Sequence, residues 1–268
     1  MKTLIYDNGC PLCAGYTAAF VKTGLLQAEG RKNFDEVPPA LLRILDQGRM
    51  HNEIPLIDTV TGKTWYGIDA LLELMAARIP VISKMGAVPL INSLLKKIYN
   101  LISFNRKLIV ANDVRGYDCS PGFSLKYRAI FLLLGLVFNS WFFSTYTSFF
   151  NDTLFPGATE VQLQVAHFAL VFVNILTAVL LGKRKGLDFL AQVNMLALLT
   201  LCLLLPVKLV SQALPLPAAY FTLGVLTVFV VYEYRRRMKF AGIYPGNLCV
   251  ISLNIISVFL FIFYLLCR

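Results

Sequence analysis

The chain has 268 residues, 57% of them hydrophobic and 15% charged, and a formal net charge of +10. Apolar residues concentrate after residue 125, which excludes an evenly soluble protein. Lysines and arginines in loops that would face anionic lipid account for most of the positive excess, so no nucleic-acid partner is called for. No internal repeat suggests an inverted-repeat transporter, and no segment is of low complexity.

In chain order, residues 3–6 read as a short strand, 11–26 as a helix and 31–34 as a weak, polar strand. Pro38-Pro39 opens a second helix over 38–47. After a break, 54–58 reads as a strand, Thr61-Gly62 as a turn and 63–66 as its hairpin partner. A helix over 67–78 follows, with Ile68, Leu71, Leu72 and Met75 on one face. Leu90, Leu94, Leu95, Ile98, Leu101, Ile102 and Ile109 then recur at helical spacing, with Lys96, Lys97, Asn100, Ser103 and Lys107 mainly opposite. That pattern is a basic amphipathic helix, suited either to lie on a membrane surface or to pack on the preceding residues.

Cys10-Pro11-Leu12-Cys13 stands between the first strand and the first helix. Two thiols at this spacing meet across one helical turn, and the helix N-terminus offers partial positive charge and free N–H groups to a thiolate. Cys10 is therefore the expected nucleophile and Cys13 the resolving thiol. Pro11 fits the first helical position and stiffens the turn. Asp7 lies close enough to accept a proton, most usefully that of Cys13, or to cap the helix. The same spacing also serves zinc or a noncatalytic pair; a zinc site needs four ligands, and the remaining cysteines and the two histidines are scattered singly. Cys119 is a further candidate thiol or simply a turn residue. No metal and no other cofactor is expected.

Five membrane spans are expected, at 127–150, 162–182, 189–214, 218–234 and 248–267. Pro206 and Lys208 suggest that the third kinks or enters the headgroup region near its end. Lys126 and Arg128, Lys183-Arg184-Lys185, and Arg235-Arg236-Arg237 with Lys239 alternate with loops lacking basic clusters, which places residues 1–125 in the cytoplasm and the C-terminus outside. Residues 1–5 are too short for a signal peptide before Tyr6. In a reducing compartment a C-x-x-C pair points to catalysis or redox sensing. Asn139, His167, Asn174, Asn194 and Asn254 interrupt the spans and call for interhelical partners, with a quinone or ion site at His167 as the alternative.

The order strand, helix, strand, helix, hairpin, helix leads to an α/β thioredoxin-like N-terminal domain at 1–80, an amphipathic extension and linker at 81–125, and an all-α transmembrane domain of about five helices at 126–268. Ile54 and Pro55 then begin the third strand, where thioredoxin-like folds carry a cis-proline beside the thiols and pair with a bound substrate strand; an ordinary edge-strand proline is the alternative.

Asp7-x-x-Cys10-x-x-Cys13 resembles the signature of the DCC family of thiol-disulfide oxidoreductases. Gly67-Ile68-Asp69-Ala70-Leu71 is similar to that family's G-x-D/E-A-L helix opening, Asn105-Arg106 to its N-R element and Cys119-Ser120-Pro121 to its C-x-P. The chain departs from the family at Asn8-Gly9, where Gly-Asp is common. The resemblance covers about residues 1–125 and implies a membrane-anchored, cytoplasm-facing oxidoreductase acting on a disulfide-containing client protein or a small thiol, with the lipid bilayer as its other partner. The rivals are a non-enzymatic redox-sensing or partner-binding membrane module and a quinone-linked oxidoreductase.

Overall fold

A computed structural model describes residues 1–50, 52–111, 121–210 and 216–267, and the chain separates into two compact units, Met1–Arg128 and Ala129–Arg268. In the first unit, β1 (Lys2–Tyr6) leads into α1 (Pro11–Lys22), then β2 (Arg31–Asn33), α2 (Pro39–Ile44) and α3 (Gln47–Met50). Next come β3 (Pro55–Asp58), β4 (Thr64–Tyr66), α4 (Gly67–Ala76), α5 (Pro80–Ala87) and α6 (Pro89–Val110). The sheet order is β2-β1-β3-β4. β1 runs parallel to β2, with Leu4 opposite Arg31, and antiparallel to β3, with Leu4 opposite Leu56. β3 and β4 form a hairpin.

Two apolar layers sandwich this sheet because the alternating residues of β1 point to opposite sides. Leu4, Tyr6, Leu56, Ala70 and Leu74 pack on one face with Cys10 and Cys13, and Ile5, Ile57, Phe34, Val37 and Met50 on the other. The buried face of α4 is Gly67, Ala70 and Leu74, whereas the expected stripe of Ile68, Leu71, Leu72 and Met75 is only half-buried. That stripe is turned aside because α5, which the periodicity did not anticipate, packs along α4 and brings Gly86 against Leu72.

The fold-class expectation needs correction. The structure is 74% helical, and its strands, three to five residues long, form one small sheet near the N-terminus. The structure does not show an α/β thioredoxin-like head. Its physical reason lies in the sequence: β2 is the polar tripeptide Arg31-Lys32-Asn33, the Thr61-Gly62 turn leaves β4 three residues, and helices supply much of the packing around the sheet. The Ile54–Pro55 bond is trans, and the cis X–Pro bond among the described residues is Tyr244–Pro245.

The second unit is helical: α7 (Leu125–Ser144, which begins in the first unit), α8 (Thr147–Thr153), α9 (Glu160–Leu181), α10 (Lys183–Val210), α11 (Leu216–Phe240) and α12 (Leu248–Leu266). Among the described residues, α7, α9, α10 and α12 are long and apolar enough to cross a membrane, with mean hydropathies of 1.4, 2.0, 2.2 and 2.6. These four fit a helical membrane domain; α11, on the expected fourth span, is not one of them. A capping box at Thr159 and Gln162 starts α9. The tight α9–α10 connection requires Gly186, where a Cβ would sit 2.1 Å from the Ala178 carbonyl oxygen. Pro206 lies within α10. The expected end of the third span and the 214–217 hairpin fall largely outside the described residues.

Candidate functional site: a buried dithiol with an arginine

Asp7 follows directly on β1, so the last pairing of the strand fixes its position. Its carbonyl accepts a hydrogen bond from the Cys10 N–H at 3.2 Å, and its Oδ1 accepts one from the Gly9 N–H at 2.9 Å. Asp7 thus shapes the turn before α1, while the N-cap is Cys10: its sulfur accepts from the Cys13 N–H at 3.3 Å. Pro11 occupies the first turn, exposed, where its missing N–H leaves no helical bond unmade.

The turn bearing the thiols is anchored from below. Thr17 donates to the Cys13 carbonyl at 2.8 Å, and Arg31 donates from Nε to Thr17 Oγ1 at 3.0 Å and from Nη2 to the Ala14 carbonyl at 3.2 Å. Arg31 also lies over the Tyr6 ring, 4.1 Å from its centroid. Helix α1 is thereby tied to the β1–β2 edge through the residues that follow the C-x-x-C.

Helix α6 supplies what the C-x-x-C spacing alone does not reveal. Arg106, buried, directs Nη1 toward Cys13 Sγ at 3.8 Å and forms an ion pair from Nη2 to Asp7 Oδ2 at 3.6 Å. Ser103 donates to the Asn52 carbonyl at 2.6 Å, and the Tyr99 hydroxyl accepts from the Ile54 N–H at 2.9 Å. The Ile54 carbonyl accepts from Gly67 N–H at 2.9 Å, so both backbone polar groups of Ile54 are held. Asp7, Cys13, Ile54, Pro55 and Arg106 line one recess, with Met50 and Phe34 at its apolar side; it has room for about one water molecule.

The two thiols are electrostatically unlike. The Cys13 thiol, donating to Cys10, lowers the Cys10 pKa to about 6 against burial; the Cys13 N–H and the Arg106 charge act in the same direction, while Asp7 opposes them. Cys13 is pushed well above the ordinary thiol range, first by that same hydrogen bond and then by burial, which outweigh Arg106. Burial works against the charge on Arg106, yet the neighbouring Cys13, Cys10 and Asp7 raise its pKa. Burial lifts the Tyr99 hydroxyl to about 12, so it stays protonated while accepting from Ile54.

Of the residues expected from sequence, the structure gathers Asp7, Cys13, Ile54 and Pro55 on the recess, with Cys10 bonded to Cys13 beside it. Pro11 holds the turn without lining the recess. Arg106 entered the sequence reading only through Asn105-Arg106, with no role attached, and Tyr99 was not singled out at all. Cys119 lies outside the described residues, and Cys202, Cys249 and Cys267 are free. Among the described residues, no group of three or more His, Cys, Asp or Glu side chains could hold a metal ion.

The polar residues of the apolar helices find one another. Asn139 donates to Asn194, Asn254 donates to Asn174 Oδ1 at 3.1 Å and accepts from the Tyr234 hydroxyl at 3.1 Å, and His167 Nε2 lies 3.1 Å from Ser140 Oγ. These are interhelical hydrogen bonds of the kind apolar surroundings demand. No protein-family model, no curated protein and no solved structure matches this chain.

Proposed function

We propose that this protein is a membrane-anchored thiol-disulfide oxidoreductase in which Cys10 is the attacking thiolate and Cys13 the resolving thiol. The supporting observation is the 3.3 Å hydrogen bond from the Cys13 N–H to Cys10 Sγ at the N-terminus of α1, which favours a thiolate at the first sulfur and not the second. The Asp-x-x-Cys-x-x-Cys resemblance to the DCC family agrees with it. Cys10 would attack one sulfur of a client disulfide, forming a mixed disulfide and expelling the other client sulfur as a thiolate. Cys13 would then lose its proton and attack Cys10 Sγ, forming the Cys10–Cys13 disulfide and releasing the second client thiolate. Two electrons pass to the client, the leaving thiolate takes up the Cys13 proton, and a cellular dithiol or two monothiols restore the pair. Arg106 beside Cys13 and Asp7 suits that second step, because it offsets the negative charge that develops on Cys13.

The four apolar helices support multi-pass insertion in a cell membrane, and the positions of the basic clusters support a cytoplasmic head. In proteoliposomes with a disulfide peptide, Cys10→Ser is expected to abolish exchange and Cys13→Ser to accumulate a mixed disulfide through Cys10, seen by non-reducing electrophoresis. Turnover unchanged in both variants would refute the reading. A pair that oxidises reversibly yet never turns over a client would instead identify a redox sensor.

A further inference from the structure

Helix α6 has two faces, and only one is used by the first unit. Tyr99, Ser103, Asn105, Arg106 and Leu108 turn inward, and the first, second and fourth of these bond to the elements around the thiols. Leu90, Leu94, Ile98 and Ile102, four residues apart, are 80%, 57%, 45% and 44% exposed. This arrangement reverses the ordinary placement of an amphipathic helix in a water-soluble domain, where the apolar stripe is covered and the polar one faces out. Much of the inward side is polar because it serves the site, and among the described residues the apolar stripe is left exposed.

Charge and connectivity identify what covers it. Residues 79–112 contain Lys84, Lys96, Lys97, Arg106 and Lys107 and no aspartate or glutamate. Arg106 is buried, Lys107 is half-buried and Lys96 is paired to Asp69 at 2.9 Å, and the other two, Lys84 and Lys97, are exposed. An acid-free basic segment with an exposed row of leucine and isoleucine matches the chemistry of an anionic bilayer surface. The chain also brings this helix to such a surface: only fourteen residues, 111–124, separate Val110 from Leu125, where the first apolar helix starts. A tether that short keeps the helix at high effective concentration near the lipid.

We infer that α6 is an interfacial helix, which lays Leu90, Leu94, Ile98 and Ile102 into the headgroup–acyl boundary of an anionic bilayer while its opposite face holds Arg106 and Tyr99 at the dithiol. The inference rests on the membrane reading of the apolar helices and is independent of thiol exchange. Its geometric consequence is a thiol site carried at the membrane surface, favouring clients that are themselves membrane-bound.

The test uses the full chain in floated vesicles of brominated phosphatidylcholine and phosphatidylglycerol, comparing Leu94→Trp and Ser93→Trp with the parent protein. The added emission of Leu94→Trp is expected to be blue-shifted and quenched at least two-fold more than that of Ser93→Trp, whose side chain leaves the helix away from the stripe. Adding Lys84→Glu and Lys97→Glu to Leu94→Trp should weaken the quenching, as should high salt. Water-like emission from Leu94→Trp would overturn the inference. Blue-shifted but unquenched emission would overturn it in favour of protein cover, and equal quenching at 93 and 94 would reduce it to mere proximity. Failure of the parent to float would remove the membrane reading and this inference together, leaving thiol exchange to be judged by its own assay.

Discussion

A thiol becomes reactive through what points at it, and Cys10 receives three favourable contributions: the Cys13 thiol, the Cys13 N–H and the Arg106 charge. With its pKa at about 6 against an ordinary 9.0, alkylation of Cys10 by iodoacetamide should be half-maximal near pH 6 and fall about tenfold per pH unit below that. Cys13→Ala removes the strongest of the three and should move the midpoint furthest toward the ordinary value; Arg106→Met should move it in the same direction by less. A midpoint unchanged in Arg106→Met would mean that the guanidinium does not act on the thiols. The sign of the linkage follows from these directions. Cys10, whose folded-state pKa is depressed, adds stability to the reduced protein that is complete above about pH 9 and is lost as pH falls through about 6. Cys13 shifts the other way, so its influence is constant below its ordinary value and destabilises only at higher pH. Between pH 6 and 9 the reduced form should therefore become more stable as pH rises, which denaturant midpoints of the detergent-solubilised reduced protein would read.

At the scale of elements, the start of α4 combines a left-handed backbone with close neighbours. Gly67 has φ +59°, and a Cβ there would lie 3.1 Å from the Tyr99 ring and 3.3 Å from Glu53. Gly67→Ala should destabilise the protein by about 2–3 kcal/mol, combining the left-handed backbone cost with crowding of the ring that binds Ile54. Gly62→Ala is the matching control: its φ is +72°, nothing lies within 4 Å of its added Cβ, and about 1 kcal/mol is expected. Equal losses in thermal-denaturation measurements would show that Tyr99 is not crowded. The same stretch shows what could be read from sequence. β1, α1, β3, β4 and α4 lie within a few residues of their expected places because each has a local cause: the apolar run Leu4-Ile5-Tyr6 in β1, Pro11 at a helix start, the Thr61-Gly62 turn. The faces of α4 and α6 were harder, since periodicity says that a helix has two sides without saying which one the fold covers. Ser103 fell on the supposed solvent side of α6 yet is buried on Asn52. Arg106 reaches Cys13 from 93 residues away, and no short-range spacing carries that information. The thioredoxin-like class failed for a related reason: the order of elements was legible, but the share of the fold carried by so small a sheet was not.

For the molecule as a whole, the basic clusters set a condition on which helices cross. Lys183-Arg184-Lys185 begins α10, just after α9 ends, and Arg235-Arg236-Arg237 with Lys239 closes α11 before α12. If α7, α9, α10 and α12 alone crossed, those two clusters would lie on opposite sides of the bilayer, against the asymmetry that orients membrane proteins. Helix α11 has 25 residues, about 37 Å at 1.5 Å per residue, against a hydrocarbon core of about 30 Å. Crossing by α11 puts both clusters on the side of residues 1–125 and leaves the C-terminus on the other. Glu233, bonded to Arg236 and Arg237, partly neutralises the end of α11 and lowers the cost of holding it near the headgroups. Fusions truncated after residue 156, residue 186, residue 242 and at the C-terminus separate the alternatives. A periplasmic-type alkaline phosphatase reporter should be active after 156 and at the C-terminus, and a cytoplasmic fluorescent reporter should be bright after 186 and 242. Phosphatase activity after 242 with a fluorescent C-terminus would mean that α11 stays on the outer side. The second basic cluster would then face away from the head, and charge would no longer explain how this chain is oriented.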